Sequence, residues 1–317
     1  TMGEPTRILV GNLPLILGNT MVEKKEYMQR HYQSLRQWLL NEPRGHRDMF
    51  GAVITEPSVP GCDMGLIFMN SEDYQDACGH GTIGAVTAAI QTGKIPPKDV
   101  LYIDTPVGNV TCHIHYQNGK VKYVSFQNVV SFTLMEHLLV KVDGVGEVPV
   151  DISFGGNFFG IVDARHLGFC LEPEEQTEII EMGIKIKNAV NKQISVKHPE
   201  NYEINMVSLI EFSLPLEGAN HYRNAVVFGK GQLDRSPCGT GTCAKMAMLY
   251  KQGKLSINEE FVHESILNSK FKGKIIGTKQ VGLYSGIIPE ITGSAYITGM
   301  HQFFLDEDDP YPNGFSL

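Results

Sequence analysis

The chain has 317 residues, 42% of them hydrophobic and 20% charged, and a formal net charge of −8, a composition that describes a folded globular protein and argues against a disordered chain. The negative balance, without a basic stripe, argues against a nucleic-acid surface, and no apolar run approaches the ~20 residues that cross a bilayer. Six cysteines (62, 78, 112, 170, 238 and 243) are too few for a disulfide scaffold in a chain of this length, so a cytoplasmic setting with reduced thiols is expected.

In chain order, short strands are predicted over 8–10, 52–55, 65–69, 101–103 and 109–116. Between the first two, Thr20 with Glu23 forms a capping box ahead of a helix over 21–40. The second half reads as strands over 148–152, 158–162, 204–212, 225–228, 261–266, 272–276 and 290–304, with a helix opened by Pro173 and running to about Gln193. Turn signals at Asn118-Gly119, Asp143-Gly144 and Leu216-Glu217-Gly218 punctuate the strands. No secretory signal is evident; residue 1 is Thr, so the natural start is expected to have been trimmed.

Two further helices are near-copies of each other. Residues 77–95 (ACGHGTIGAVTAAIQTGKI) and 237–255 (PCGTGTCAKMAMLYKQGKL) align without a gap and share six of nineteen positions, where unrelated segments would share roughly one. Each opens Cys-Gly-x-Gly-Thr and reaches Gly93 or Gly253 where a helix would end. In the first, Ile83, Val86 and Ile90 recur at helical spacing with small residues on the other faces, so the helix should be buried; the second is similar, with Lys245 as its main polar interruption. At this length two lobes are the default. The expected fold is α+β, with two similar lobes, each a sheet wrapped around one Cys-Gly helix: residues 1–126 with 296–317 returning to them, and residues 127–295.

The paired cysteines, Cys78 and Cys238, carry the chemistry. A lone cysteine is usually a small buried hydrophobe. At a helix start, however, the first-turn N–H groups lack intrahelical partners and the dipole is positive, so a thiol there is expected to have a lowered pKa, and the adjoining Gly-rich N–H groups form an anion site. The same arrangement twice points to proton removal on one face of a small molecule and delivery on the other. His80 and Asp234 fit a substrate ammonium, His80 as a neutral acceptor; the plain alternative makes them a helix-start donor and a turn residue.

Other readings are weaker. Gly79-His80-Gly81-Thr82-Ile83-Gly84 satisfies G-x-G-x-x-G with Asp104 twenty residues on, but the polar stretch 70–76 before it is not the apolar strand that a dinucleotide fingerprint requires. No Gly-Lys-Ser/Thr follows at Walker A spacing. Cys112-His113-Ile114-His115 alternates as a strand and has no second ligand pair, so no metal site is expected.

Cys78-Gly-His-Gly-Thr-Ile-Gly and Asp234-Arg-Ser-Pro-Cys238-Gly-Thr-Gly-Thr resemble the two signature motifs of the proline racemase family, which includes 4-hydroxyproline 2-epimerases and trans-3-hydroxyproline dehydratases and is related in fold to diaminopimelate epimerase. The resemblance extends to Gly3-Glu-Pro-Thr-Arg7, Gly18-Asn-Thr-Met21, Pro43-Arg-Gly-His46 with Phe50, and Gly155-Gly-Asn-Phe158-Phe. It implies two pseudo-symmetric lobes with the site in the cleft, no cofactor, a homodimer, and Cys78 and Cys238 as the acid/base pair. It also implies that the N–H groups of Gly79, His80, Gly239 and Thr240 bind the substrate carboxylate while Asp234 and His80 hold the amine. Dehydratases of the family carry Thr at the first cysteine position, so Cys78 favours a racemase or epimerase. Phe50 and Phe228 match aromatic positions that pack on an unsubstituted proline ring; Ser208, near a third variable position, offers a hydroxyl partner. The expected function is a proline racemase, with 4-hydroxyproline 2-epimerase as the alternative and a thiol redox or binding protein without turnover as the second.

Overall fold

The computed structural model describes residues 1–11 and 13–315. Two compact units emerge, one of Gly3–Phe126 with the C-terminal residues from Gly293 onward, the other of Gln127–Thr292. Residues 316 and 317 of the expected C-terminal return lie outside the described residues. Both units are α+β, mostly strand with few helices.

The first unit runs β1 (Thr6–Leu9), α1 (Met21–His31), α2 (Gln33–Leu40), β2 (Phe50–Thr55), β3 (Met64–Asn70), β4 (Tyr74–Gln75), α3 (Gly79–Gln91), β5 (Val100–Thr105), β6 (Gly108–Gln117) and β7 (Lys120–Gln127). Strands β1 and β2 are parallel, β2 and β3 antiparallel, β3 and β5 parallel, and β5 to β7 form an antiparallel meander, with β4 paired to β3.

The second unit runs β8 (Phe132–Val142), β9 (Gly146–Phe154), β10 (Phe158–Asp163), α4 (Gln176–Gln193), β11 (Val207–Pro215), β12 (His221–Phe228), β13 (Gln232–Asp234), α5 (Gly239–Lys251), β14 (Glu260–Glu264), β15 (Lys270–Val281) and β16 (Tyr284–Gly293). From β10 onward it repeats the first unit's order of parallel and antiparallel pairs; β8 and β9 are an added antiparallel hairpin joined to β10. The duplication seen in one helix thus extends to a whole sheet.

Each repeat centres on its Cys-Gly helix. Every residue of α3 from Gly79 to Ile90 is buried, as is every residue of α5 from Gly239 to Leu249, as an all-round small and apolar sequence requires. Both helices stop at a left-handed glycine, Gly93 (φ 73°) and Gly253 (φ 67°), which closes the last turn without a Cβ clash. Among the described residues no helix is long and apolar enough to cross a membrane.

Several elements differ from expectation, among them the short strands β4 and β13, which are not among the predicted strands. The helix over 21–40 breaks at Tyr32 into α1 and α2. No Gly or Pro marks the break; Tyr32 (φ −129°, ψ 29°) leaves helical geometry, and its carbonyl accepts both from the Arg36 N–H of α2 at 3.2 Å and from the Tyr74 hydroxyl of β4 at 2.9 Å. The strand predicted over 290–304 ends at Gly293. Beyond it the chain lies on the first unit, with Phe303 edge-on to Trp38, the Arg7 guanidinium 4.6 Å over the Phe303 ring, and Glu42 bridged to Phe315. Strands β7 and β8 were not anticipated, although the turns beside them were: Asn118 (φ 52°) and Gly119 (φ 75°) both adopt the left-handed backbone of a tight hairpin.

Helix α4 lies close on the sheet because Gly183 has no side chain; a Cβ there would come 2.6 Å from the Val227 Cβ. Alanine is the better helix former, yet Gly183→Ala is expected to lose about 1–3 kcal/mol by overpacking. Urea denaturation checks this, and equal or greater stability would refute the close-approach account.

Candidate active site

The structure places the predicted site residues in two groups, Phe50, Cys78, Gly79 and His80 in the first unit, and Phe228, Asp234, Cys238, Gly239 and Thr240 in the second. Cys78 is the N-cap of α3, with extended backbone (φ −155°, ψ 112°), and its Sγ accepts from the Gly81 N–H at 3.3 Å. The Thr82 N–H and hydroxyl both donate to the Cys78 carbonyl, at 3.0 and 2.9 Å, and fix the first turn. The His80 imidazole lies against the sulfur, Nε2 at 3.5 Å, and meets Phe50 edge to face with centroids 4.5 Å apart. Burial pushes the His80 pKa down to about 3, so the ring is neutral and keeps a nitrogen lone pair to offer.

Cys238 caps α5 by the same bond, Sγ accepting from the Gly241 N–H at 3.4 Å, with Thr240 Oγ1 at 3.7 Å. Its backbone differs. With φ 57° and ψ 101° Cys238 occupies the left-handed region, a strain of about 1–3 kcal/mol that only surrounding bonds can hold. Those bonds are present. The Cys238 N–H donates to Ser236 Oγ (3.1 Å), the Ser236 N–H to Asp234 Oδ1 (2.8 Å), the Thr242 hydroxyl to the Cys238 carbonyl (2.7 Å), and Asn224 Nδ2 to the Pro237 carbonyl (2.7 Å).

The expected lowering of the thiol pKa by the helix start is not met at Cys238. Burial, then the Asp234 carboxylate, push this thiol well up, outweighing the Gly241 N–H and the Thr240 hydroxyl that favour the thiolate. Burial also raises Asp234. Dehydration of a thiolate costs more than these two bonds return, so Cys238 is a thiol.

Phe228 ends β12 and is buried. Ser208 sits in a bulge of β11: Phe158 pairs with Val207 and Phe159 with Leu209, leaving Ser208 opposite no residue of β10. Bulges of this kind re-aim a side chain. Residues read as structural behave so. Asp104 clasps the loop before β3, accepting from the Ser58 N–H and hydroxyl at 2.6 Å each and from the Val59 N–H at 3.0 Å. His113 and His115 are exposed while Cys112 and Ile114 are buried, and burial pushes the Cys112 and Cys243 thiols up to about 12. Among the described residues no three His, Cys, Asp or Glu side chains gather as a metal site would require.

Sequence reasoning missed Ser236, which holds the strained cysteine, and Glu211, His263 and Lys245, which are buried around the start of α5. One signal existed: Glu211 interrupts the apolar run Leu209-Ile210-Glu211-Phe212, as Lys245 interrupts an apolar helix.

A model of the proline racemase family matches residues 1–316, and the chain belongs to that family. The proline racemase of Clostridioides difficile is 46% identical over 321 residues, covering 100% of this chain and 96% of that protein. Among solved structures, a probable proline racemase from Agrobacterium radiobacter with bound carbonate superposes with a TM-score of 0.91 at 28% identity, over 100% of this chain and 94% of that one. A hydroxyproline epimerase from Agrobacterium vitis with bound trans-4-hydroxy-L-proline gives 0.90 at 28% identity, over 100% and 93%.

The His80 pKa carries a pH consequence. Because it is lowered in the folded state, the unfolded chain binds more protons between about pH 6.5 and 3, so stability falls as pH drops through that window. His80→Gln is expected to remove several kcal/mol of this pH dependence. Urea unfolding of both proteins at a series of pH values measures it, and parallel curves would reject the buried neutral histidine.

Proposed function

We propose that this chain is a cofactor-independent racemase that interconverts L- and D-proline through a thiolate and a thiol. One observation carries the reading: the same device occurs twice, a cysteine sulfur at the N-cap of a buried helix, accepting from the N–H three residues on at 3.3 Å and 3.4 Å. The resemblance to proline racemases over the full chain supports it. Homodimeric assembly and a cytoplasmic setting belong to the same proposal.

Inversion at Cα through a planar carbanion needs a base on one face and an acid on the other. In this scheme the N–H groups of Gly79, His80, Gly239 and Thr240, unpartnered within their helices, bind the carboxylate and stabilise its growing enolate-like charge. Neutral His80 and Asp234 hold the ammonium. Cys78 as thiolate takes the α-proton of one enantiomer while Cys238 as thiol donates to the opposite face; the roles reverse for the other enantiomer. Substrate assists its own reaction. The Asp234 charge that opposes thiolate formation at Cys238 is offset once an ammonium lies beside it, so the second thiol becomes a usable base only with substrate bound.

Cys78→Ser and Cys238→Ser should each lower racemisation by at least ~10²–10⁴-fold, followed as optical rotation. Full activity in either would reject the two-thiol scheme. Loss of α-deuterium exchange in D₂O by the wild type would instead favour a redox or binding role.

Substrate choice turns on Phe50 and Phe228. A ring hydroxyl packed against two aromatic walls lacks a partner and costs ~1–3 kcal/mol. Proline is therefore expected to exceed trans-4-hydroxy-L-proline by about 5- to 150-fold in kcat/KM. The half-buried Ser208 in its bulge, together with the likeness to a hydroxyproline epimerase, favours the second reading, 4-hydroxyproline 2-epimerase. A polarimetric screen of both substrates decides, and a reversed order moves the assignment to the epimerase.

A further inference from the structure

Behind the two cysteines the repeat breaks down. A Cβ placed on Gly81 would meet Cys78 Sγ at 3.0 Å and the Phe68 ring at 3.0 Å. At the matching Gly241 it would meet Cys238 Sγ at 3.1 Å and Glu211 Oε2 at 2.7 Å. The corresponding hairpin pairs that face these helices are Ala52 with Phe68 in the first unit and Glu211 with Val226 in the second. A small residue beside a phenyl ring has become a carboxyl beside a medium aliphatic side chain. The volume is roughly kept; the chemistry is not.

Glu211 is fully buried, and neither of its carboxyl oxygens has a hydrogen-bond partner. The groups that face it are His263 from β14, with Nε2 3.6 Å from Oε1, and from α5 Lys245 and Cys238; its strand neighbours Ile161 and Val226 are apolar. His263 is itself tied down by Thr242 and Asn224, at 3.0 and 3.1 Å from Nδ1, and the Lys245 ammonium lies 4.7 Å over the Tyr222 ring. Cys238 also faces Asp234 from β13 and Thr240 on its own helix. With its facing donor, His263 Nε2, at 3.6 Å and so beyond hydrogen-bond length, the carboxyl gains little from being ionised except its attraction to Lys245, and burial raises its pKa.

We propose that Glu211 is a positioning residue for Cys238, a buried acid whose proton and charge set how readily this thiol ionises and so make the two cysteines chemically unequal. Neutral Glu211 permits the Cys238 thiolate. Ionised Glu211 repels it across the face of Gly241. The effect rests on the racemase reading only for its catalytic meaning, since the coupling between carboxyl and thiol exists without turnover.

The test reads the pH dependence of Cys238 alkylation by iodoacetamide, site-resolved by mass spectrometry, with exposed Cys170 as the standard in the same digests. In Glu211→Gln, which keeps volume and removes the charge, the Cys238 titration should move to lower pH and its rate at fixed alkaline pH should rise several-fold. In the wild type the Cys238 titration should be broader than that of one proton, because Glu211 titrates with it. A wild-type titration of single-proton width, or a Glu211→Gln profile superimposable on the wild type, overturns the proposal, and the first measurement stands even if the variant fails to fold. Kinetics add a readout that lost structure would not mimic. The enantiomers of proline are equal in free energy, so kcat/KM must stay equal in the two directions; the variant should change kcat and KM by different factors in each direction while keeping that equality. If the wild type racemises nothing, the functional reading falls and the Cys238 titration still judges Glu211.

Discussion

A thiol at the first turn of a buried helix is pulled two ways, and everything of chemical interest in this protein follows from the contest. The free N–H groups and the helix dipole favour a thiolate, while loss of water disfavours it. At Cys238 burial and the Asp234 charge win. A cation beside Asp234 would offset the carboxylate's part of that obstacle and leave burial, the larger part, in place.

The scaffold needed for this is built twice. Strands β1 to β7 and β10 to β16 repeat one pattern of pairing around one helix apiece. Each helix is apolar enough to sit within its own sheet, and each begins Gly-x-Gly directly after its cysteine. Duplication explains why both sulfurs make the same bond to the third residue on. It does not make them equivalent. Cys78 has relaxed backbone and Phe68 behind it, whereas Cys238 is held in left-handed geometry by Ser236 and has Glu211 behind it. Two cysteines that cap corresponding helices thus differ in backbone and in surroundings.

Much of this was legible in the chain. Composition and periodicity showed α+β class, and the repeated Cys-Gly-x-Gly-Thr located both helix starts, because capping is local and its residue preferences are strong. The N-cap at Thr20 was readable for the same reason: Thr20 Oγ1 accepts from the Glu23 N–H at 3.1 Å, while the Glu23 carboxylate takes the Asn19 N–H at 2.7 Å in place of the Thr20 N–H that a full capping box uses. The break at Tyr32 was not: no Gly or Pro marks it, and the Tyr74 hydroxyl that meets its carbonyl lies forty-two residues away. Nor was the end of β16: the apolar residues after Gly293 read as strand, yet Phe303 packs on Trp38 and Arg7 as part of a docked tail.

The sequence alone determined the class of fold, the two helices that carry the cysteines, the residues at their starts and the family to which they belong, because all of these are written in short contiguous patterns. The tertiary structure decided the electrostatics: that Cys238 is pushed up, that His80 is neutral, that a strained cap hangs on Ser236, and that Glu211 meets Cys238 at Gly241. Burial and charge depend on residues far apart in the chain, and a pKa records the sum of those neighbours, so no local pattern could have stated it.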